Sequence, residues 1–287
     1  MKPRVDILIP AYNRPAALAV TLTSLASQSF RDFRLVISDQ TEDFNIAEAG
    51  VVQAVLRLLS AHGHEIIVHK HLPFRGMAEQ RQFLLDQACT PYALFLDDDL
   101  ILEPFVLHNM RKAIEEENCG FVGSAVIGLS YLDDVRPQEQ EIEFWEGRVM
   151  PEMIWVDSKE YQRYRLHNAA NLYHVAQNLG LTPQRPLKDR VAWVGGCNLY
   201  DAAKLRKVGG FQFWKDLPKQ HAGEDVLAQF RVMARYGGCG LIPSGVYHQE
   251  HPTTLPDRSV DAPKVLELYP DPAEARIKIY HLEAQDG

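Results

Sequence analysis

Short apolar runs, each followed by a stretch with helical spacing, recur through the first hundred positions of the chain. Residues 5–10 form an apolar run stopped by proline, which predicts a strand. Beyond Ala11-Tyr12-Asn13-Arg14-Pro15, the residues Leu18, Leu22, Leu25 and Ala26 fall on one helical face. The pattern repeats: a strand over 34–38 with Asp39 at its end, a helix over 47–61 with Val51, Ala54, Val55, Leu58 and Leu59 on one side, and a strand over 65–69. A helix over 78–88 and a strand over 92–96 complete the series. Strand and helix in alternation predict parallel strands joined by right-handed crossovers. Ligands of such sheets bind beyond the carboxyl ends of the strands. Residues 10–14, Asp39 and whatever follows Leu96 are therefore expected on one edge.

The second half is less regular. A helix is expected over 103–117 and a strand over 120–127, and the pattern then loosens across 128–190, which holds Phe144, Trp145 and Trp155 and a helix over 159–179. Strand character returns over 191–200, interrupted by Gly195-Gly196; glycine inside a strand marks close approach of a ligand or another backbone. Helices over 201–208 and from Glu224 to about 236 precede a last strand over 240–247, which runs into His248-Gln249-Glu250-His251. The expected organisation is one domain over 1–252, with a ligand-binding half (1–100), a second half (101–252) that carries an insertion at about 128–190, and a tail over 253–287 with a helix near 273–282.

Chemistry concentrates where the fourth strand ends, at Leu94-Phe95-Leu96-Asp97-Asp98-Asp99-Leu100. Adjacent carboxylates repel, and each lowers its energy by sharing a divalent cation. A solvated acidic turn explains the same run, so the choice depends on what else gathers there. Tyr12 and Arg14 stand at a strand's carboxyl end and could serve a ligand. Arg75 and Arg81 could face phosphate oxygens. Glu224 and Asp225 suit a helix's first turn, and one of them could also be a general base. His248, emerging from a strand, could meet a metal held by the aspartates, with His251 in reserve. His62, His64, His69 and His71 straddle a strand without HExxH spacing and read as structural or exposed.

Composition narrows the field. The 287 residues, 46% hydrophobic and 24% charged, suit a soluble globular α/β protein, and a net charge of −8 argues against a nucleic-acid binder. Cys89, Cys119, Cys197 and Cys239 are widely spaced, which reads as reduced thiols. The amino terminus has no signal-peptide core and no segment suits a membrane span, so the expected location is cytoplasmic, with association at the inner membrane face left open.

Taken in order, Pro10-Ala11-Tyr12-Asn13-Arg14, Asp39, Phe95-Leu96-Asp97-Asp98-Asp99, Gly195-Gly196-Cys197-Asn198, Val208-Gly209-Gly210-Phe211 and Gly223-Glu224-Asp225 with Arg231 resemble the family 2 glycosyltransferases. The resemblance implies the GT-A fold, a Rossmann-like, mostly parallel sheet flanked by helices, and transfer of a sugar from a nucleotide donor with inversion. It implies that Pro10, Ala11, Tyr12 and Arg14 frame the nucleoside and that Asp39 accepts an N–H of the base, with UDP the expected nucleotide. It assigns Asp97 and Asp98 to the donor, with Asp97 nearer the ribose. Arg75, Arg81, Gly195 and Gly196 are further donor-site candidates. Asp99, with His248, is assigned to Mn²⁺ or Mg²⁺, Asp225 to the base, and Glu224 to the acceptor or donor sugar, though the last two could be exchanged. One departure stands out: Asp39-Gln40-Thr41-Glu42-Asp43 replaces the family's more frequent Asp-Asp-Gly-Ser-Thr-Asp. Expected partners are a UDP-sugar and a glycan, glycolipid or small-molecule acceptor, with no nucleic acid; homo-oligomerisation is left open. A sugar-nucleotide pyrophosphorylase, which would carry a glycine-rich basic loop after strand one, and a noncatalytic nucleotide-sugar-binding protein are the competing readings.

Overall fold

The apolar runs at 5–11, 33–39 and 92–96 become strands that are buried almost throughout. A computed structural model describes residues 4–254 and 257–269. It begins β1 (Val5–Ala11), α1 (Pro15–Ala26), β2 (Phe33–Asp39), α2 (Gly50–Ala61), β3 (Ile66–Lys70), α3 (Met77–Gln87) and β4 (Tyr92–Leu96). There follow β5 (Leu100–Leu102), α4 (Val106–Glu117), β6 (Phe121–Gly123), β7 (Val126–Ile127), α5 (Asn171–Asn178), β8 (Leu187–Asp189) and β9 (Cys197–Asp201). The chain continues through α6 (Ala202–Lys207), α7 (Glu224–Tyr236), β10 (Gly238–Ile242), β11 (Val246–His248) and α8 (Ala262–Val265).

Eight strands form one sheet in the order β3-β2-β1-β4-β9-β6-β10-β8, and β5-β11-β7 form a second. β1 pairs in parallel with both β2 and β4, while β9 is antiparallel to its neighbours β4 and β6. The chain winds outward through β2 and β3, then returns across β1 to β4. The crevice between β1 and β4 is thus a topological switch point, the place where this architecture opens a ligand site. Apolar side chains on both faces build the core: Ile7, Leu18, Leu22 and Leu35 on one, Leu8, Phe95, Tyr200 and Phe230 on the other.

The irregular second half departs from the periodic reading for local reasons. The expected strand over 120–127 is two strands in different sheets, because β7 leaves β6 to pair with β11. The strand expected over 240–247 is interrupted by Pro243, which has no N–H for a ladder, and by Gly245 at φ 69°. Residues 191–195 lie outside the ladder, because the Val194 N–H is taken by Gln229 Oε1 on α7 at 2.7 Å. The helix expected over 159–179 is a 3-10 segment (Glu160–His167) and α5, divided at Ala169, where φ is 49°. On α2 the inward residues are Val52 and Leu59, and Val51 and Leu58 are exposed. The helix expected near 273–282 lies outside the described residues. Among the described residues no helix is long and apolar enough to cross a membrane.

Asp6 fixes the amino-terminal half. Fully buried in β1, it accepts Arg34 Nε at 2.7 Å and the backbone N–H groups of Cys89 and Thr90 at 2.7 and 2.9 Å. It thereby joins β1 and β2 to the turn before β4. Asp6→Ala leaves the buried Arg34 charge without its main partner, and the expected loss of unfolding free energy is about 3–5 kcal/mol, measured by urea denaturation.

Candidate active site

At the carboxyl edge, β1 contributes Pro10 and β4 delivers Asp97, Asp98 and Asp99 to a cavity of about 860 Å³. Its other walls come from Tyr12, Arg14, Phe74, Met77, Gln80 and Arg81, from Gly195-Gly196, from Gly223-Glu224-Asp225 and from His248 and His251. A more open groove of about 660 Å³, lined by Glu143, Phe144, Trp145, Glu146, Gly147, Arg148, Met150 and Arg190, takes nothing from the acidic run. The acidic run is thus a wall of a cleft and not a solvated turn.

Arg81 is the centre of the site. From α3 its Nε donates to Glu224 Oε1 at 3.0 Å and its Nη2 to Asp97 Oδ1 at 3.1 Å. Burial opposes its charge, but Asp97, Glu224 and Asp225 more than offset this and hold the guanidinium above its ordinary range. The sequence reading of Arg81 as a phosphate ligand meets a guanidinium already shared by two carboxylates. Arg75 is exposed and is not among the cavity walls, because Gly76, at φ 105°, turns the chain inward only after it.

The three aspartates differ because each meets different neighbours. Burial raises Asp97, against the pull of Arg81. Asp98 is pushed up to about 7 by burial and by Asp99 and Asp97, with Arg14 opposing. Asp99 is lowered: burial would raise it, but His248 and Arg14 outweigh that. Glu224 and Asp225 open α7 behind Gly223, whose φ of 75° makes the sharp entry to the helix. Asp225 lines the cavity, accepts only its neighbour's N–H from Val226 among the hydrogen bonds described, and is pushed up to about 7 by burial and by Glu224.

Asp39, expected at the nucleobase, faces protein on all sides: it is fully buried, and Ala11 beside it is buried too. Gly196, at φ 77°, packs its backbone under the aspartates, since an added Cβ would lie 2.7 Å from Val126 and 3.4 Å from Asp97 Oδ2. Phe74, Met77, Gln80, Tyr161, Trp193, Arg258 and Lys264 are cavity residues that sequence reasoning missed. Met77 and Gln80 lie on the first turn of α3, Tyr161 in the 3-10 segment and Lys264 on α8, while Phe74, Trp193 and Arg258 come from loops. The residues assigned to a tail thus supply a wall: Ala222 exchanges hydrogen bonds with Val260 and Ala262 at 2.8 Å each, which seats 257–264 beside α7.

The fit of a divalent cation rests on Asp99 and His248. Asp99 Oδ2 accepts Arg14 Nη1 at 2.7 Å and lies 3.4 Å from His248 Nε2. Arg14 also donates to the carbonyl of Pro252. His248 Nδ1 accepts the Glu250 N–H at 2.7 Å, so the neutral ring carries its proton on Nε2, toward Asp99. Among the described residues no three His, Cys, Asp or Glu side chains converge to hold an ion. Asp99 therefore suits a hard cation as a single oxygen donor, with further ligands from a diphosphate and water. His248 would join it after its tautomer changes.

A doubly wound sheet with carboxylates and a buried arginine at its switch point puts a polar cleft where α/β folds of this kind open a ligand site. The model of glycosyl transferase family 2 matches residues 6–177, and the chain belongs to that family. Solved GT-A structures share the fold. S. aureus TarS 1-349 matches with a TM-score of 0.54 and 16% identity over 85% of this chain and 60% of that one. Its complex with UDP-GlcNAc matches with a TM-score of 0.52 and 16% identity over 88% and 60%. The mannosyltransferase PcManGT from Pyrobaculum calidifontis, in complex with GDP-Man and Mn²⁺, matches with a TM-score of 0.55 and 16% identity over 89% and 59%. The chain spans about 60% of the length of these structures. No curated protein sequence matches it.

Asp225 links the site to stability. Its folded pKa lies above the usual carboxylate value, so between about pH 4 and 7 the folded state binds the extra proton and stability falls as pH rises through that window. Asp225→Asn is expected to melt several degrees above the parent at pH 8, with the gap closing by pH 4, in thermal scans across pH.

Proposed function

We propose that the chain transfers a sugar from a nucleoside diphosphate donor to an acceptor hydroxyl, with inversion, and that Asp225 is the base. The observation that carries this is the unequal pair at the start of α7: Arg81 engages Glu224, while Asp225 lines the cavity with a carboxyl near neutrality. A base poised near the working pH is half deprotonated and gains a proton readily. In the proposed step the acceptor oxygen forms its bond to the anomeric carbon as the bond to the diphosphate oxygen breaks. The hydroxyl proton passes to Asp225. Glu224, held by Arg81, orients the acceptor or the transferred sugar.

The donor is proposed to lie along Pro10, Tyr12 and Asp97, with the sugar near Gly195 and Gly196, and Arg14 offers positive charge toward the departing diphosphate. Mn²⁺ or Mg²⁺ at Asp99, with His248, would add a Lewis acid on the diphosphate oxygens. The proposed catalytic unit is residues 1–252 with an insertion over 128–190, and the wall from 257–264 extends it. A glycan, glycolipid or small molecule is the proposed acceptor class. The four free thiols suit a reducing cytoplasmic setting, with lipid-linked acceptors met at the inner membrane face.

The test uses UDP-GlcNAc and GDP-mannose as donor probes, with product formation followed by release of the nucleoside diphosphate. Activity is expected to rise with pH through about 7 as Asp225 loses its proton. Asp225→Asn should retain nucleotide binding by calorimetry while turnover falls by about 10²–10⁴-fold. Near-normal turnover in that variant removes Asp225 from the role.

A further inference from the structure

Gln229, on α7, is fully buried and uses both ends of its side-chain amide on a single residue outside the helix. Its Oε1 accepts the Val194 N–H at 2.7 Å, and its Nε2 donates to the Val194 carbonyl at 2.7 Å. Asn198 Nδ2, from β9, donates to the same carbonyl at 2.7 Å. Val194 also packs directly on Gly123 of β6, where an added Cβ would lie 2.6 Å from the Val194 Cβ. A segment outside any ladder is thus tied at its N–H and its C=O, by an amide from a helix in place of a neighbouring strand.

What Gln229 holds is a wall of the cleft. Trp193 and Gly195, on either side of Val194, line the cavity, and so does Asp225, one helical turn before Gln229 on α7. Positions i and i+4 of a helix share a face. The Tyr200 hydroxyl meets both side chains: burial and then Asp225 raise it, while Arg81 and Gln229 oppose. Leucine or methionine would fill the same space, but a primary amide offers the donor and the acceptor that Val194 needs.

Resting on the assignment of Asp225 as the base, we propose that Gln229 is a positioning residue for the transfer: it sets the distance between the Asp225 carboxylate and residues 193–195, beside which the acceptor hydroxyl must meet the sugar. Gln229 touches no substrate and acts through the seat of α7 against that segment. A displacement of about 1 Å between reacting groups costs on the order of 10²-fold in rate. The proposed nucleotide contacts at Pro10, Tyr12 and Asp97 come from the β1 and β4 ends and do not run through Gln229.

The test is Gln229→Met in the full chain, which nearly preserves side-chain length and removes both hydrogen bonds, assayed well below its melting temperature. UDP-GlcNAc and GDP-mannose serve as donors with MnCl₂, methyl glycosides as acceptors, and calorimetry follows UDP and GDP binding. Turnover is expected to fall about 10- to 100-fold, while nucleotide dissociation constants and the acceptor KM stay within about threefold. A glutamine with a merely structural role would lower the melting temperature and leave the turnover of folded enzyme intact. Turnover within about threefold of the parent, or a loss of nucleotide affinity equal to the loss of turnover, therefore overturns the inference and leaves the transferase reading standing. Gln229→Glu serves if Gln229→Met does not fold: a protonated glutamic acid again offers donor and acceptor, and an ionised one does not. Its turnover relative to the parent should rise as pH falls from about 8 to about 6, and a flat ratio overturns the inference. Absence of transfer by the parent chain overturns the transferase reading itself, and this inference with it.

Discussion

A single buried guanidinium joins the two halves of this molecule. Arg81 reaches from α3 to Asp97 at the end of β4 and to Glu224 at the start of α7. An unpaired cation in that position would cost several kcal/mol of desolvation, so both carboxylates must stay within reach wherever the surrounding elements settle. The planar fork of arginine spans two acceptors at fixed angles, which an ammonium does not. Phe95 lies beneath it, 5.8 Å from the guanidinium carbon to the ring centroid, and fixes its height above the sheet. The spacing between the β4 side and the α7 side of the cleft is thus set by the dimensions of one side chain.

The acidic run shows how neighbours divide labour among identical residues. Asp97 meets Arg81, Asp99 meets Arg14 and His248, and Asp98 is left with a 3.4 Å contact to the Tyr12 N–H and a 3.9 Å approach of Arg14. Two of the three therefore hold protons more readily than a free aspartate, and one less readily. Charge repulsion along the run is relieved by partners drawn from three different elements.

What could be read from the sequence follows from how thoroughly each segment is buried. β1, β2 and β4 were legible because their apolar runs meet core on both faces, and Glu224-Asp225 was legible because a glycine and two acids announce a helix start. The cleft's composition was partly legible: Pro10, Tyr12, Arg14 and Asp97–Asp99 converge as the alternation of strands and helices required. Arg75 and Asp39 were not, since whether a polar side chain faces a cavity or its own loop depends on contacts such as Lys70 to Asp39, 31 positions apart. Trp193 and Tyr161 come from segments read as a strand and a helix that the structure breaks up, and Arg258 and Lys264 from the stretch read as a tail, so their meeting depends on the folded path.

The seating of residues 257–264 against Ala222 also sets an order in time. The cleft takes walls from Pro10 and from Lys264, so its first and last parts leave the ribosome some 250 residues apart, on the order of tens of seconds at ordinary elongation rates. For the later part of that interval the parallel strands β1 to β4 are already available to pair, while the side of the cleft beside Asp225 stands open to water. Until residues 257–264 are made, a nascent chain carries the carboxylates and Arg81 of the cleft without the wall beside Ala222.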